Sequence, residues 1–397
     1  MIFDKLKNYQ QITTSQQLQE MYGAGWQTPA GISVTPSQAI KFGPVYQCVR
    51  VLAESIGMLP LHVYRQKGRL REKALNDPMY SLLHTAPNEF QTSQEWRETI
   101  VAHLNLRGNH YSWKNRVRGS VRELLPLNPD AVKPELHDDW TVTYTVTLPG
   151  GHRETLPSDD ILHIRLMSLD GLVGLSPIEQ ARNSIGLGMA AEKFGSQLFG
   201  NGSRPSGILS TDKDIKDADQ LKLLKEQWEN LNSGGSQMRT AILSGGLQWT
   251  AVSISPEDAQ FLETRSYQRS EIAGLFRVPP HMIGDLSKTT IGNIEQQAID
   301  FVTISLMPIC TRIEQRIQVS LLQKKTDFFA KHSVNALLRG DMKSRAEFYS
   351  KQLQNGALSP NEIREFEDMN PRDGGDIYLT PANMLIDGQQ GNDDDQE

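Results

Sequence analysis

Two consecutive prolines, Pro279 and Pro280, stand between two stretches that are each patterned for a long helix, and this constrains the chain more than any other feature. Neither proline can donate a backbone hydrogen bond, and each pushes its predecessor out of the α region. A helix arriving there has to stop. The arriving stretch opens Ser255-Pro256-Glu257-Asp258: an N-cap serine, a proline at the first helical position, and acids at the positive end of the dipole. It predicts a helix running to about Val278. A polar loop bounded by Gly284 and Gly292 follows. A second helix is then predicted from about Asn293 to Leu322, roughly 45 Å long at helical rise. Pro308 falls inside it, removes one donor, and predicts a bend at Thr303–Pro308.

The remaining pattern is mixed. Residues 37–58 carry an amphipathic helical pattern interrupted at Gly43-Pro44, followed by an apolar, strand-like Leu61–Tyr64. Thr92–Leu106 reads as a capped helix with Trp96, Ile100 and Leu104 on one face. From Asn109 to Leu166 the period becomes two, clearest in Trp140–Thr147, and predicts an antiparallel unit packed with the earlier helices. Ser176-Pro177 opens a helix to about Phe199, in which Ala181, Ser184, Gly188, Ala191 and Gly195 form a stripe of small residues. Each glycine there costs roughly 1 kcal/mol relative to alanine, so the smooth face needs a reason. Close packing against a neighbouring subunit is the reading adopted, against packing within the chain's own core. Residues 201–254 read as a small α/β insert between the long helices, with strands Ser206–Ser210, Arg239–Leu243 and Gln248–Ile254 and a helix Ile215–Leu231. Phe328–Leu338 is strand-like. Asp341–Leu353 and Pro360–Phe366 form a helical pair, the second capped by Ser359 with Glu362 three residues on.

Composition narrows the function classes. The chain has 397 residues, 38% hydrophobic and 22% charged, enough for two or three packed units. Residues 341–397 hold 13 acidic and 5 basic side chains, a net of −8 within the whole chain's −6, so the remainder carries only +2. No strongly basic stretch exists to grip nucleic acid through counterion release. Cys48 and Cys310 sit far apart among apolar neighbours and read as buried thiols rather than a disulfide. No stretch has the length and apolarity of an ordinary membrane helix. The loop Gly284-Asp-Leu-Ser-Lys288-Thr289 approaches a phosphate loop and would suit a soluble phosphoryl-transfer enzyme. That alternative fails because Ser287 stands where a glycine is needed and no buried strand precedes it. Gly186-Leu-Gly188-Met-Ala-Ala191 matches a dinucleotide fingerprint, but inside a helix instead of at a strand-to-helix turn. Zinc spacing and a serine nucleophile elbow are both missing. No catalytic residue and no metal ligand is assigned.

Several short motifs carry a family likeness. Phe276-Arg-Val-Pro-Pro-His-Met-Ile-Gly284 with its polar loop resembles the signature region of tailed-bacteriophage portal proteins of the HK97 type. So do Asn335–Asp341, Arg345–Tyr349, Pro360–Glu365 with Asp368–Pro371, Gly171–Ile178, and the turn Leu125–Pro129. The likeness runs from about Ala39 to Met384, and the motifs are specific as a set. It implies an α+β portal-protein fold: a β-rich wing, long stem helices, a small α/β clip, a tunnel loop and a helical C-terminal crown.

On this sequence the divisions are a flexible segment 1–36, wing 37–175, stem helix 176–200, clip 201–255 and returning stem helix 256–283. The tunnel loop, long kinked helix and a wing strand occupy 284–340, the crown 341–387, and a disordered acidic tail 388–397. The resemblance further implies a homo-oligomeric ring, usually of twelve subunits, at one capsid vertex of the virion, assembled in the host cytoplasm. Double-stranded DNA would pass along its axis during packaging and ejection. Implied partners are the terminase large subunit, the major capsid protein or scaffold, and a head-completion adaptor, with no cofactor, no membrane and no enzymatic activity. Leu286, Ser287, Lys288, Thr289 and Thr290 are the expected DNA-facing residues. Ala181, Ser184, Gly188, Ala191 and Gly195 are the expected subunit contacts.

Overall fold

The computed structural model describes residues 27–200, 207–210, 248–251, 256–286, 291–323, 325–334, 342–367 and 369–379. The architecture is α+β, with helices and small antiparallel sheets sharing one large core. In chain order the elements begin α1 (Pro36–Ala39), α2 (Gly43–Gly57), β1 (Leu61–Lys67), β2 (Leu70–Lys73), α3 (Pro78–His84) and α4 (Ser93–Arg107). The β-rich part follows: β3 (Asn109–Val117), β4 (Ser120–Leu127), β5 (Val132–Leu136), β6 (Val142–Thr147), β7 (Arg153–Pro157) and β8 (Ile161–Arg165). Then come α5 (Pro177–Gln180), α6 (Arg182–Gly200), β9 (Gly207–Ser210), β10 (Gln248–Ala251) and α7 (Pro256–Leu275). The rest comprises α8 (Ile291–Asp300), a π-helical stretch Phe301–Leu306, α9 (Met307–Ser320), β11 (Phe328–His332), α10 (Met342–Gln354) and α11 (Pro360–Phe366).

Local chemistry accounts for most of these limits. The Thr92 hydroxyl accepts from the Glu95 N–H while the Glu95 carboxylate accepts from Thr92 N–H, a reciprocal cap that starts α4. Gly108, left-handed at φ 75°, ends it. Trp96, Ile100 and Leu104 are fully buried on its inner face, each contributing roughly 1.5–3 kcal/mol of burial. Ser359 and Glu362 repeat the same cap on α11. The helix expected over 176–199 is instead divided at Ala181, whose φ −95° and ψ 7° leave the helical region.

Two cores result. In the smaller, Tyr111, Trp113 and Ile161 from the sheet β4-β3-β8 pack on Tyr144, Val146 and Leu156 from the sheet β5-β6-β7. The larger core gathers α2, α4, β1, α5, α6, α7 and the helix 291–320, and Cys48 and Cys310 lie in it as free thiols. Burial pushes both thiols up to about 12. Strand β3 is covered on both sides. Its opposite face carries His110, Ser112 and Lys114, all buried and all hydrogen-bonded. Trp96 Nε1 donates to Ser112 Oγ at 3.2 Å, and Ser112 Oγ meets His110 Nε2 at 2.8 Å. His110 Nδ1 lies 3.1 Å from His103 Nδ1, so one imidazole donates to the other and both stay neutral.

Sheet pairing supplies what periodicity does not. β11 pairs antiparallel with β1, Leu61 opposite His332 and Val63 opposite Ala330, so the end of the chain closes a sheet begun near its start. The strand expected over Phe328–Leu338 ends at His332, with Ser333 and Val334 outside it and 335–338 outside the described residues. Within the expected insert, β9 and β10 pair antiparallel, Leu209 opposite Trp249. The expected helix Ile215–Leu231, the strand Arg239–Leu243, the segment 1–26 and the tail 388–397 lie outside the described residues.

Candidate functional site

Two turns of the same kind define the junction between α7 and the loop. At the end of α7, Val278 N–H bonds Ala273 C=O and Arg277 N–H bonds Gly274 C=O, with Arg277 left-handed at φ 57°. This is a Schellman cap with arginine where glycine is usual. After Pro279-Pro280 the chain makes a 3₁₀ turn, Pro280–Ile283, and repeats the motif. Asp285 N–H bonds Pro280 C=O, Gly284 N–H bonds His281 C=O, and Gly284 has φ 81°. Asp285 is buried and accepts from Ser270 Oγ at 2.7 Å, which ties the start of the loop back onto α7. The next residue, Leu286, is 68% exposed. Ser287, Lys288, Thr289 and Thr290 lie outside the described residues, and helix resumes at Ile291. Gly292, taken as the far edge of the loop, lies within α8.

From Ile291 to Ser320 the chain is helical throughout, with one irregularity. Phe301–Leu306 is π-helical, and Met307 N–H reaches back to Val302 C=O. This is the place where Pro308 predicts a bend. With no N–H on Pro308 to bond the Ile304 carbonyl, the preceding turn widens into the i to i−5 pattern. Thr303 Oγ1 donates to Ile299 C=O at 3.0 Å, and Ser305 Oγ donates to Arg277 C=O at 2.5 Å. The second bond fixes the widened turn against the end of α7.

Beyond it, α9 is held by charged contacts. The Glu314 carboxylate accepts from His332 N–H at 2.8 Å, from His332 Nδ1 at 3.0 Å and from Lys331 Nζ at 2.9 Å. Burial works to raise this carboxyl, but those hydrogen bonds outweigh it and hold Glu314 below its ordinary value. Burial pushes the His332 imidazole down, against the pull of Glu314, so the neutral ring donates through Nδ1. At the helix end, the buried Lys114 Nζ donates to Ser320 C=O at 3.2 Å, a cation at the negative end of the dipole. Burial pushes Lys114 down to about 8. The loop is therefore carried between two firmly attached helices.

Three residues of the small-residue stripe make contacts within the chain. Ala181 is buried in the chain's own core, and Ser184 Oγ donates to Glu271 Oε1 of α7 at 2.8 Å. A Cβ on Gly188 would come within 2.8 Å of the Phe42 ring and 3.7 Å of Gln268 Oε1. These positions are small because α6 lies close on Phe42 and α7 of the same chain. Gly195 is buried and Ala191 half-buried.

Sequence reasoning also passed over Arg277, Asp285, Ser305 and Glu314. A carboxylate on the apolar face that holds Cys310, Ile313 and Ile317 was a readable signal for Glu314. Nothing local marked the other three. Among the described residues no group of His, Cys, Asp or Glu could hold a metal ion, and no helix is long and apolar enough to cross a membrane.

Comparison with known proteins gives these features a context. The family model described as phage portal protein matches residues 44–368. The portal protein of Enterobacteria phage HK97 is 32% identical over 360 residues, covering 89% of this chain and 84% of that protein. The probable portal protein of Streptomyces phage phiC31 is 34% identical over 382 residues, covering 92% and 83%. Among solved structures, a chain in the neck of an empty gene transfer agent particle, computed with C6 symmetry, superposes with a TM-score of 0.65 and 25% identity. The match covers 89% of this chain and 98% of that one.

Proposed function

The chain belongs to the phage portal protein family, and from that premise we propose that it assembles as a ring at one capsid vertex and passes double-stranded DNA through the opening that the loop 286–290 lines. The reading that carries over from the sequence is a ring of twelve. The observation that supports the loop assignment is its mounting. A buried, hydrogen-bonded Asp285 and two successive Schellman turns fix one end, and a helix tied down by Ser305, Glu314 and Lys114 fixes the other. Lys288 is the one charged residue in 286–290. Twelve copies would make a single band of positive charge, enough to touch phosphates and too thin to arrest them. Between residues 256 and 325 acids and bases balance at eight each, which keeps the salt-dependent attraction small.

In this reading 37–175 is the wing, with 176–200 and 256–283 as the stem. Residues 201–255 form the clip that docks the terminase large subunit and later a head-completion adaptor. Residues 284–340 supply the tunnel loop, its helix and a wing strand, and 341–387 the crown toward the capsid interior, where the major capsid protein or scaffold surrounds the vertex. The chain contributes a passage, and the terminase contributes the hydrolysis that drives transport.

The test is a variant with residues 286–290 shortened. Rings of normal appearance that fail to package or retain DNA are the expected result. Full packaging by such rings would remove the tunnel-loop assignment.

A further inference from the structure

Residues 65–73 of the β1–β2 hairpin hold five bases, Arg65, Lys67, Arg69, Arg71 and Lys73, against the single acid Glu72, and the whole stretch is exposed. Two of the bases are taken up on the side of the fold. Arg65 pairs with Asp327 at 2.7 Å and Lys73 with Glu365 of α11 at 2.8 Å. The outer end keeps Lys67, Arg69 and Arg71 against Glu72, three charges less one, a surplus of +2. Glu72 lies 2.7 Å from Lys67. The Arg71 guanidinium sits over the Tyr64 ring, 5.7 Å from its centre. Among the described residues neither Arg69 nor Arg71 meets a carboxylate.

The acidic end of the same chain starts beside this hairpin. Tyr378 Oη donates to Glu362 Oε1 at 3.2 Å, and Glu365, one turn further along α11, holds Lys73. The last described residue is Leu379. Residues 380–397 follow with five acids, Asp387, Asp393, Asp394, Asp395 and Glu397, and no Lys, Arg or His. The chain from Leu379 to Asp393 is about 45 Å long when extended. From Lys73 to Arg69 the hairpin runs only about 14 Å. The acids reach its outer end with length to spare.

We propose that residues 380–397 dock on the β1–β2 hairpin of their own chain, with Asp393, Asp394 and Asp395 on Arg69 and Arg71. The opposite charges select this partner. A surplus of +2 offers DNA only about two or three phosphate contacts per copy, which is weak at ordinary salt. A tail needs far less affinity, because its tether holds it at roughly millimolar effective concentration. The tail also carries Met384-Leu385-Ile386 ahead of its acids. That apolar run suits the exposed Leu70 and the outer edge of β2, the last strand of the sheet β11-β1-β2. The docked tail staples α10 and α11 to this sheet beside the Lys73–Glu365 ion pair. None of this depends on the ring reading.

The test treats the full chain with a carbodiimide, which joins an ammonium to a carboxylate in contact with it, and reads the joined peptides by mass spectrometry. Lys73 coupled to Glu365 is the internal standard for an intact fold. Lys67 is expected to couple to Asp393, Asp394 or Asp395. That coupling should fall about fivefold or more in the double variant Arg69→Glu, Arg71→Glu and survive in Arg69→Lys, Arg71→Lys. It should also fall in 1 M salt, where charges are screened within about 3 Å. Lys73–Glu365 coupling without any coupling of Lys67 to the tail would overturn the proposal. So would tail coupling that ignores both the charge reversal and the salt. In a mixture of isotope-labelled and unlabelled chains, joints between the two kinds would overturn docking within one chain. Uncoupled Lys67 that a short DNA duplex shields from acetylation would give the hairpin to phosphates instead.

Discussion

Replacing Gly188 by alanine separates two explanations of the small-residue stripe by a measurable energy. An ideal Cβ at this position lies 2.8 Å from Phe42 Cζ and 3.0 Å from Cε1. Phe42 cannot simply swing aside, since it is buried in the main core and its backbone is the N-cap of α2. The ring must move by more than half an ångström to reach ordinary contact, an overpacking cost of about 1–3 kcal/mol. Alanine in a helix returns roughly 1 kcal/mol of propensity. Gly188→Ala should therefore destabilise the unassembled chain by about 1 kcal/mol. With Phe42→Leu the obstructing ring atoms are gone, and the same change should become stabilising by about 1 kcal/mol. The coupling energy is then about 2 kcal/mol, well above the scatter for independent sites. Urea unfolding of the four proteins in the double-mutant cycle, under conditions where rings do not form, supplies the numbers. If Gly188→Ala leaves the stability of the chain unchanged in both backgrounds and abolishes rings, the intrachain explanation is wrong.

Acid should weaken the fold in a defined window. Burial pushes His103 and His163 down to about 3 and His62 to about 4, and His110 also lies well below its ordinary value. These rings stay neutral in the folded chain and take protons near pH 6.5 when it unfolds, so the unfolded state binds more protons below that point. The stability they contribute is complete above about pH 6.5 and falls as the pH drops toward 4, by up to about 1.4 kcal/mol per pH unit for each ring. A urea midpoint that stays flat between pH 7 and pH 5 would contradict this. At Arg277 the left-handed backbone favours glycine over any side chain by about 1–2 kcal/mol, offset by the greater freedom of glycine in the unfolded chain. Arg277→Gly should therefore be more stable than Arg277→Ala by about 0.5–1 kcal/mol in thermal unfolding, and the reverse order would refute the strained cap.

The sequence by itself determined the features that are settled within a few residues of chain. Thr92 with Glu95 and Ser359 with Glu362 announce their helices because the capping partners are three residues apart. The stop at Pro279-Pro280, the left-handed Gly284 and the irregular turn before Pro308 follow from backbone groups that proline lacks and conformations that glycine allows. The same local signals carried the family likeness and with it the α+β class.

The tertiary structure decided everything that depends on partners far along the chain. The pairing of β1 with β11 joins residues 61 and 332, and no periodicity in either strand names the other. His110, Ser112 and Lys114 are polar residues alternating with Tyr111 and Trp113 along β3, yet they are buried, and α4 and the end of α9 supply hydrogen-bond partners that no local pattern names. The stripe on α6 shows the same limit. Helical spacing reveals that Gly188 and its neighbours form a smooth face, but only the position of Phe42 tells which body lies against it. The pattern of a helix fixes which residues share a side. What covers that side is fixed by the fold.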